Sequence, residues 1–388
     1  MCTRILTKNY KENFLTSRNM DWFEKFNTNL WAFPSGITRK SLPSNESGSF
    51  EWTSKFKSVV AFITLDKEKD GTEIGSTTDG LNEEGFVVNS LYLSESEYGE
   101  VEKNNKPKMS MGIWGQYMLD NYATVQDAVR EWAENPIQEV LFDIPTPSAD
   151  PKNVRSATQH ISISDSNGDS AIFEYYKIEI EGVLNPQLKL HITTNINISS
   201  FNVNEEVSIS TDKCNVMTNS PVYSEQLKLN YFWQWQWSNG QDIKGTANKS
   251  AKTETLPGTS RAPDRFSRAS YYNNNIKKSK TYTESIGQVL SVIRTASVPI
   301  GYTLNPNEPN ISNTLWTTVS DHSNKIYYFQ ATDYPNLLWI KLKELDFKNN
   351  TKIFKLSIND ETDLTKYMGN ITKLMTKKEV SKLKFIFS

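Results

Sequence analysis

Cys2-Thr3-Arg4-Ile5-Leu6 and, a few residues on, Asn13-Phe14-Leu15-Thr16-Ser17-Arg18-Asn19-Met20-Asp21-Trp22 decide how this chain is read. Both stretches alternate weakly between apolar and polar residues, the period of a strand, and the short polar gap between them suits a hairpin. Such a hairpin carries Cys2 to the neighbourhood of Arg18. Removal of Met1 would leave Cys2 with a free α-amine and a thiol on one residue, which can act as base and nucleophile without a histidine. The amine's reference pKa of about 7.7–8.0 lies close to working pH, so it can take the thiol proton and return it. A nearby guanidinium favours the thiolate and a carboxylate orients the ammonium, and Arg18 and Asp21 are the natural suppliers. Taken alone, a cysteine at position 2 reads as an accident of sequence, and an Arg and an Asp three residues apart are more often a solvated surface pair.

Working outward, the rest of the sequence supports a large folded unit. It has 388 residues, 37% hydrophobic and 12% aromatic, enough for a sizeable core. The net charge of −2 with scattered basic residues argues against a nucleic-acid surface. The two cysteines, Cys2 and Cys214, exclude a disulfide framework, and they and the three histidines show no metal-ligand spacing, so no metal is expected. No apolar run reaches the roughly 18 residues of a membrane span, and the N-terminus lacks a signal-peptide profile. A cytoplasmic protein is the expectation as the sequence is written, or a periplasmic or secreted one if a leader was removed before residue 1.

Ser58-Val59-Val60-Ala61-Phe62-Ile63-Thr64 reads as a buried strand, Asp79 to Gly85 as a turn, and Phe86 to Leu93 as the strand leaving it. Thr124 is placed to cap a helix whose stripe is Val125, Ala128, Val129, Trp132 and Ala133. Strands return at His160–Ser164, Ala171–Tyr175, 177–180 and 188–191. Val222–Trp235, Arg265–Ile276 and Glu284–Arg294 read as helices, the last with Ile286, Val289, Leu290 and Ile293 on one face. Leu315–Ser320, Ile326–Phe329 and Leu337–Ile340 are late strands, and the polar stretches near 94–109 and 236–260 read as loops. Strands in hairpin-like groups with helices in blocks favour α+β with antiparallel sheets over a doubly wound sheet. No linker divides the chain, which reads as a single domain over 1–388.

The start Cys2-Thr3 with Arg18-Asn19-Met20-Asp21 resembles the choloylglycine hydrolase family, N-terminal nucleophile hydrolases of linear amides that include bile salt hydrolases and penicillin V acylases. The resemblance continues in order through Asp79–Gly85, Trp114–Val125, His160–Tyr175, Val216-Met217-Thr218-Asn219-Ser220-Pro221, Leu256-Pro257-Gly258, Asp264–Ala269, Leu315–Asp321 and Lys325–Phe329. It implies a four-layer αββα sandwich with two stacked antiparallel sheets, no cofactor, a small-molecule amide substrate and a homotetramer. It implies Cys2 as nucleophile, with Arg18 and Asp21 as its electrostatic partners. Asn219 would supply the side-chain amide of the oxyanion hole, and Arg265 the site's second arginine, with Arg268 the runner-up for that role. Read without the family, Asn219 before Ser-Pro is a turn residue and Arg265 a surface charge. Cys214 reads as a small buried residue, and His160 as structural rather than as a base.

Tyr92 follows Ser90-Leu91, where the family supplies a backbone N–H to the oxyanion. Bile salt hydrolases of this kind usually carry Asn there and penicillin V acylases Tyr, so Tyr92 leans to the acylase side. The Trp114–Asp120 block also resembles the branch that tends toward penicillin V and acyl-homoserine-lactone cleavage, whose members often carry an export leader. Trp22, Phe23, Phe62 and Tyr92 are candidates for an apolar acyl pocket, or are ordinary core. The expected activity is penicillin V acylase-like amide hydrolysis through an acyl-thioester, extending to N-acyl homoserine lactones. The alternatives are a conjugated bile salt hydrolase and, from another class, a catalytically inactive ligand-binding homologue.

Overall fold

The computed structural model describes residues 2–99, 104, 106–141, 143–145, 154–156, 158–180, 183–237, 256–301, 312–334, 336–347, 352–358, 367–376 and 382–386. The expected loop at 236–260 falls mostly outside these residues. The first hairpin forms as its alternation suggests: β1 (Cys2–Lys8) and β2 (Phe14–Trp22) pair antiparallel, with Cys2 opposite Met20 and Arg4 opposite Arg18. Next come β3 (Asn27–Phe33), β4 (Ser58–Lys67), β5 (Glu73–Asn82) and β6 (Val87–Tyr92), then α1 (Met111–Asn121) and α2 (Val125–Glu134). The middle of the chain supplies β7 (Gln159–Ser164), β8 (Ser170–Ile180), β9 (Val183–Ile192), β10 (Val207–Thr211) and β11 (Val216–Met217). Three helices follow, α3 (Tyr223–Trp237), α4 (Ala262–Asn275) and α5 (Tyr282–Arg294). Late strands β12 (Asn313–Asp321), β13 (Ile326–Ala331), β14 (Leu338–Lys341) and β15 (Phe354–Ser357) complete the frame.

Two large sheets result. One runs β11-β1-β2-β12-β13-β14 and ends on Gly369–Asn370; the other runs β10-β9-β8-β7-β6-β5-β4-β3-β15, with Leu383–Phe385 beside β5. Pairing is antiparallel except at β9–β10, β14 with Gly369–Asn370, and β5 with Leu383–Phe385. Each sheet is apolar on both faces, so each needs two layers of cover. Met20, Leu30, Ala61, Leu91, Tyr327 and Phe329 fill the space between the sheets. On the outer face of the second sheet, Val60, Phe86, Ile161 and Phe173 pack against Trp114 and Trp132 of α1 and α2. On the outer face of the first, Leu15, Val319 and Tyr328 meet Ile286, Val289 and Leu290 of α5. The order is therefore αββα, as the resemblance implied. Side chains of this size contribute roughly 1.5–3 kcal/mol each when fully buried.

The capped helix stands as read: Thr124 Oγ1 accepts the Asp127 N–H, and Val125, Ala128, Val129, Trp132 and Ala133 are the buried residues of α2. Two local readings change. Asp79–Asn82 belong to strand β5 and are buried; the turn begins after Asn82 and closes at Gly85, whose φ is +85°. The Asp-Gly-Leu-Asn composition imitates a turn, but Asn82 caps the real one by accepting the Glu84 and Phe86 N–H groups. The helix α1 was not anticipated. Ten of its eleven residues are buried, so it has no polar stripe for a periodicity to reveal. Gly115 lets it lie on β5, because a Cβ there would stand 2.8 Å from Thr77 O.

Candidate active site

The hairpin explains why Arg18 and Asp21 differ in parity. Residues opposite each other in an antiparallel pair point to one face, and neighbours along the strand alternate. Cys2, Arg4, Arg18 and Met20 thus share the face toward the second sheet, while Thr3, Asn19 and Asp21 face α4 and α5. On the first face, Arg18 Nη2 lies 3.4 Å from Cys2 Sγ and 2.9 Å from Met20 Sδ, and donates to Ser90 O at 3.0 Å. Its guanidinium stacks 4.4 Å above the Trp316 ring. On the other face, Asp21 accepts from Thr314 Oγ1 at 2.6 Å and pairs with Arg265 Nη1 at 3.3 Å. A bulge between Thr314 and Trp316 puts that threonine on the Asp21 face of the sheet. Burial pushes the Asp21 carboxyl above its ordinary range, opposed chiefly by Arg265.

Arg265 is fully buried one turn into α4 and ties the two faces together. It donates to Cys2 O at 2.5 Å, Thr3 Oγ1 at 2.6 Å, Asn219 Oδ1 at 2.8 Å and Ser260 O at 2.9 Å. Arg268 bonds instead to the carbonyls of Pro257, Thr259 and Thr295, away from Cys2. Asn219 Oδ1 also accepts the Cys2 backbone N–H at 2.5 Å. Its Nδ2 donates to Tyr92 O at 2.6 Å, so the other N–H of that amide has no bond among the described residues.

Sheet geometry fixes what Tyr92 offers. Leu93 N–H bonds to Thr158 O at 3.2 Å, and Tyr92 lies opposite Gln159. Hydrogen-bonded pairs alternate along an antiparallel ladder, so the backbone N–H and C=O of Tyr92 point away from β7, toward Asn219. The neighbour on that side would be β5, but it pairs with β6 only over Asp79–Leu81 against Val87–Asn89. A bulge places Thr78 outside the β4–β5 register and turns β5 away. Arg18 and Asn219 enter the slot left open.

The slot leads to a cavity lined by Trp22, Phe26, Ile63, Leu65 and Tyr92, with Cys2 and Arg18 at its base. The Trp22 ring meets Phe26 at 5.6 Å and Tyr92, edge-on, at 5.5 Å. Phe62 is not part of this wall. Ile63 and Leu65 share one face of β4, so Phe62 falls on the other and packs against Trp31 and Phe385. Phe23 packs on Trp22, with ring centroids 4.6 Å apart, without lining the cavity; Phe26, not singled out from the sequence, takes that place.

Two buried carboxylates were also missed. Asp79 accepts from Tyr327 Oη at 2.6 Å, Asn89 Nδ2 at 2.7 Å and Thr318 Oγ1 at 3.1 Å. Burial raises its pKa, and the attraction of Arg18 is the largest effect opposing that rise. Glu174 bonds His160 at 2.9 Å. Neither has a spacing to Cys2 that sequence could read. Cys214 is wholly buried, with its thiol pushed up by that burial. No group of three or more His, Cys, Asp or Glu able to hold a metal occurs among the described residues.

The layers and their topology are the αββα sandwich of the N-terminal nucleophile hydrolase fold. The chain belongs to the linear amide C–N hydrolases of the choloylglycine hydrolase family, whose model matches residues 2–195 and 191–366, and it is an amidohydrolase. It is 37% identical to a penicillin V acylase of Pectobacterium atrosepticum over 361 residues, 89% of this chain and 82% of that protein. The solved penicillin V acylase of Agrobacterium tumefaciens superposes with a TM-score of 0.72 at 36% identity, covering 99% of both chains. A conjugated bile acid hydrolase from Clostridium perfringens shares the fold, with a TM-score of 0.64 at 22% identity over 92% of this chain and 97% of its own. No helix among the described residues is long and apolar enough to cross a membrane.

Proposed function

We propose that Cys2, once Met1 is removed, hydrolyses an aryloxyacetyl amide of the penicillin V kind through an acyl-thioester. The observation that carries this reading is that all three reactive parts of Cys2 are held at once. Its nitrogen is fixed by Asn219, its carbonyl by Arg265, and its sulfur lies beside Arg18. The α-amine takes the thiol proton, and the sulfur attacks the amide carbon while Arg18 favours the thiolate. The second Asn219 N–H and the Tyr92 N–H hold the oxyanion. Collapse breaks the C–N bond, and the ammonium gives its proton to the leaving amine. Water then attacks the thioester, the α-amine accepts its proton, and the acid departs with Cys2 regenerated.

The aromatic wall of Trp22, Phe26 and Tyr92 supports a flat acyl group, as does the likeness to two penicillin V acylases. N-acyl homoserine lactones present the same linear amide with an apolar acyl chain and are the second substrate class of this reading. Purified protein assayed for amine release is expected to cleave penicillin V with the highest kcat/KM. N-acyl homoserine lactones should follow, and glyco- and tauro-conjugated bile salts should come at least about tenfold lower, a difference of roughly 1.4 kcal/mol. Preference for the bile salts would overturn the substrate assignment. Intact mass is expected to show the chain starting at Cys2; a fully active protein retaining Met1 would overturn the amine's role.

A further inference from the structure

Asn219 sits in the short segment between β11 and α3, and the chain is gripped on both sides of it, at Thr218 and at Tyr223, by one buried ion pair. Glu174, on β8 and fully buried, accepts the Tyr223 backbone N–H at 3.1 Å on each carboxylate oxygen. Its Oε1 also bonds His160 Nδ1 at 2.9 Å. The opposite nitrogen of that ring, Nε2, bonds Thr218 O at 2.8 Å. A carbonyl accepts only, and so does an ionised carboxylate, so His160 makes both bonds only as the imidazolium. Glu174 is ionised: burial would raise its pKa, but the bonds and charges of His160 and His191 bring it down to about 2. His191 approaches Glu174 Oε2 at 3.4 Å and is itself anchored on Ser210 at 2.7 Å. Between the ends, Gln226 Nε2 donates to Asn219 O at 2.9 Å and Pro221 O at 3.2 Å. The grip therefore fixes the main chain on both sides of Asn219 without touching Cys2.

We propose that Glu174 and His160 are positioning residues that hold the Asn219 amide in register with the oxyanion. The proposal rests on the mechanism above, in which Asn219 stabilises the tetrahedral intermediate. A displacement of about 1 Å at such a group can cost on the order of 100-fold in rate. Glu174→Gln keeps the volume but turns one acceptor into a donor facing Tyr223 or His160. His160→Gln keeps a polar side chain that reaches Glu174 or Thr218, not both.

The test compares hydrolysis with alkylation of Cys2 by iodoacetamide, mapped by peptide mass. Alkylation needs the reactive thiol but forms no oxyanion. Glu174→Gln is expected to lower kcat by about 10- to 100-fold with KM within about threefold. The alkylation rate should stay within about twofold of the parent. His160→Gln is expected to show the same split with a smaller loss. Unchanged kcat per alkylatable Cys2 in either variant would overturn the proposal, as would a parallel fall of kcat and alkylation, which would mean that the whole site had loosened. The underlying mechanism fails separately: it is overturned if complete alkylation of Cys2 in the parent protein leaves hydrolysis intact.

Discussion

Replacing Cys2 by serine is expected to lower amide hydrolysis by on the order of 10⁴-fold or more, with the fold retained. The size of the effect follows from what surrounds the sulfur. Arg18 and Met20 face it, and none of the three histidines stands ready as a base. His160 is bound between Glu174 and Thr218, His191 lies on Glu174 and Ser210, and His322 is held by Thr16 and Gly85. Burial holds His322 down to about 4, which keeps it neutral. A thiol needs only partial help from an amine because its reference pKa is about 8.5. A hydroxyl on the same strand gains little from an amine and a guanidinium. The change removes little volume, and the inter-sheet packing around Met20 and Leu91 stays. The measurement is amine release in steady state, with mass spectrometry of acid-quenched protein to trap the acyl adduct. Activity within tenfold of the parent would remove Cys2 from the chemistry.

The parts of the site legible in the sequence are those set by strand parity and by local caps. The alternation of residues 2–6 and 13–16 implied a hairpin, and the hairpin brought Arg18 to the sulfur. The Thr124 cap and the stripe beginning at Val125 could be read because α2 has one wet face. Where an element is buried all round, as α1 is, the same reasoning is silent. Parity also explains Phe62: the sequence offers it as pocket wall or as ordinary core, and only the registers of β4 with β3 and β5 say which face is which. The bulge at Thr78 that opens the slot beside Tyr92 has no local signature. Asp79 and Glu174 reach the site through contacts 248 and 49 residues away in sequence, to Tyr327 and Tyr223. Long-range charge placement of this kind comes from packing.

Arg265→Leu is expected to destabilise the protein by roughly 3–5 kcal/mol, because it takes the guanidinium away from the buried Asp21 carboxylate. It should also lower kcat by about 10²- to 10³-fold, since Cys2 O and Asn219 Oδ1 lose the donor that fixes them. The pH dependence separates charge from packing. Asp21 already lies above the ordinary carboxylate range through burial, and Arg265 opposes that rise, so its removal moves the group further up. A carboxyl raised in the folded state costs nothing at low pH, where both states are protonated. The cost grows as pH rises from the unfolded value, about 3.9, toward the folded one. The stability gap between parent and variant should therefore be narrowest near pH 4 and widest near pH 8, measured by urea unfolding at each pH. Arg265→Lys keeps the charge with fewer donors, and it should recover most of the stability at pH 8 but little of kcat. A gap that stays constant from pH 4 to pH 8 would mean that Arg265 acts by filling space, and that Asp21 is neutral in the native site.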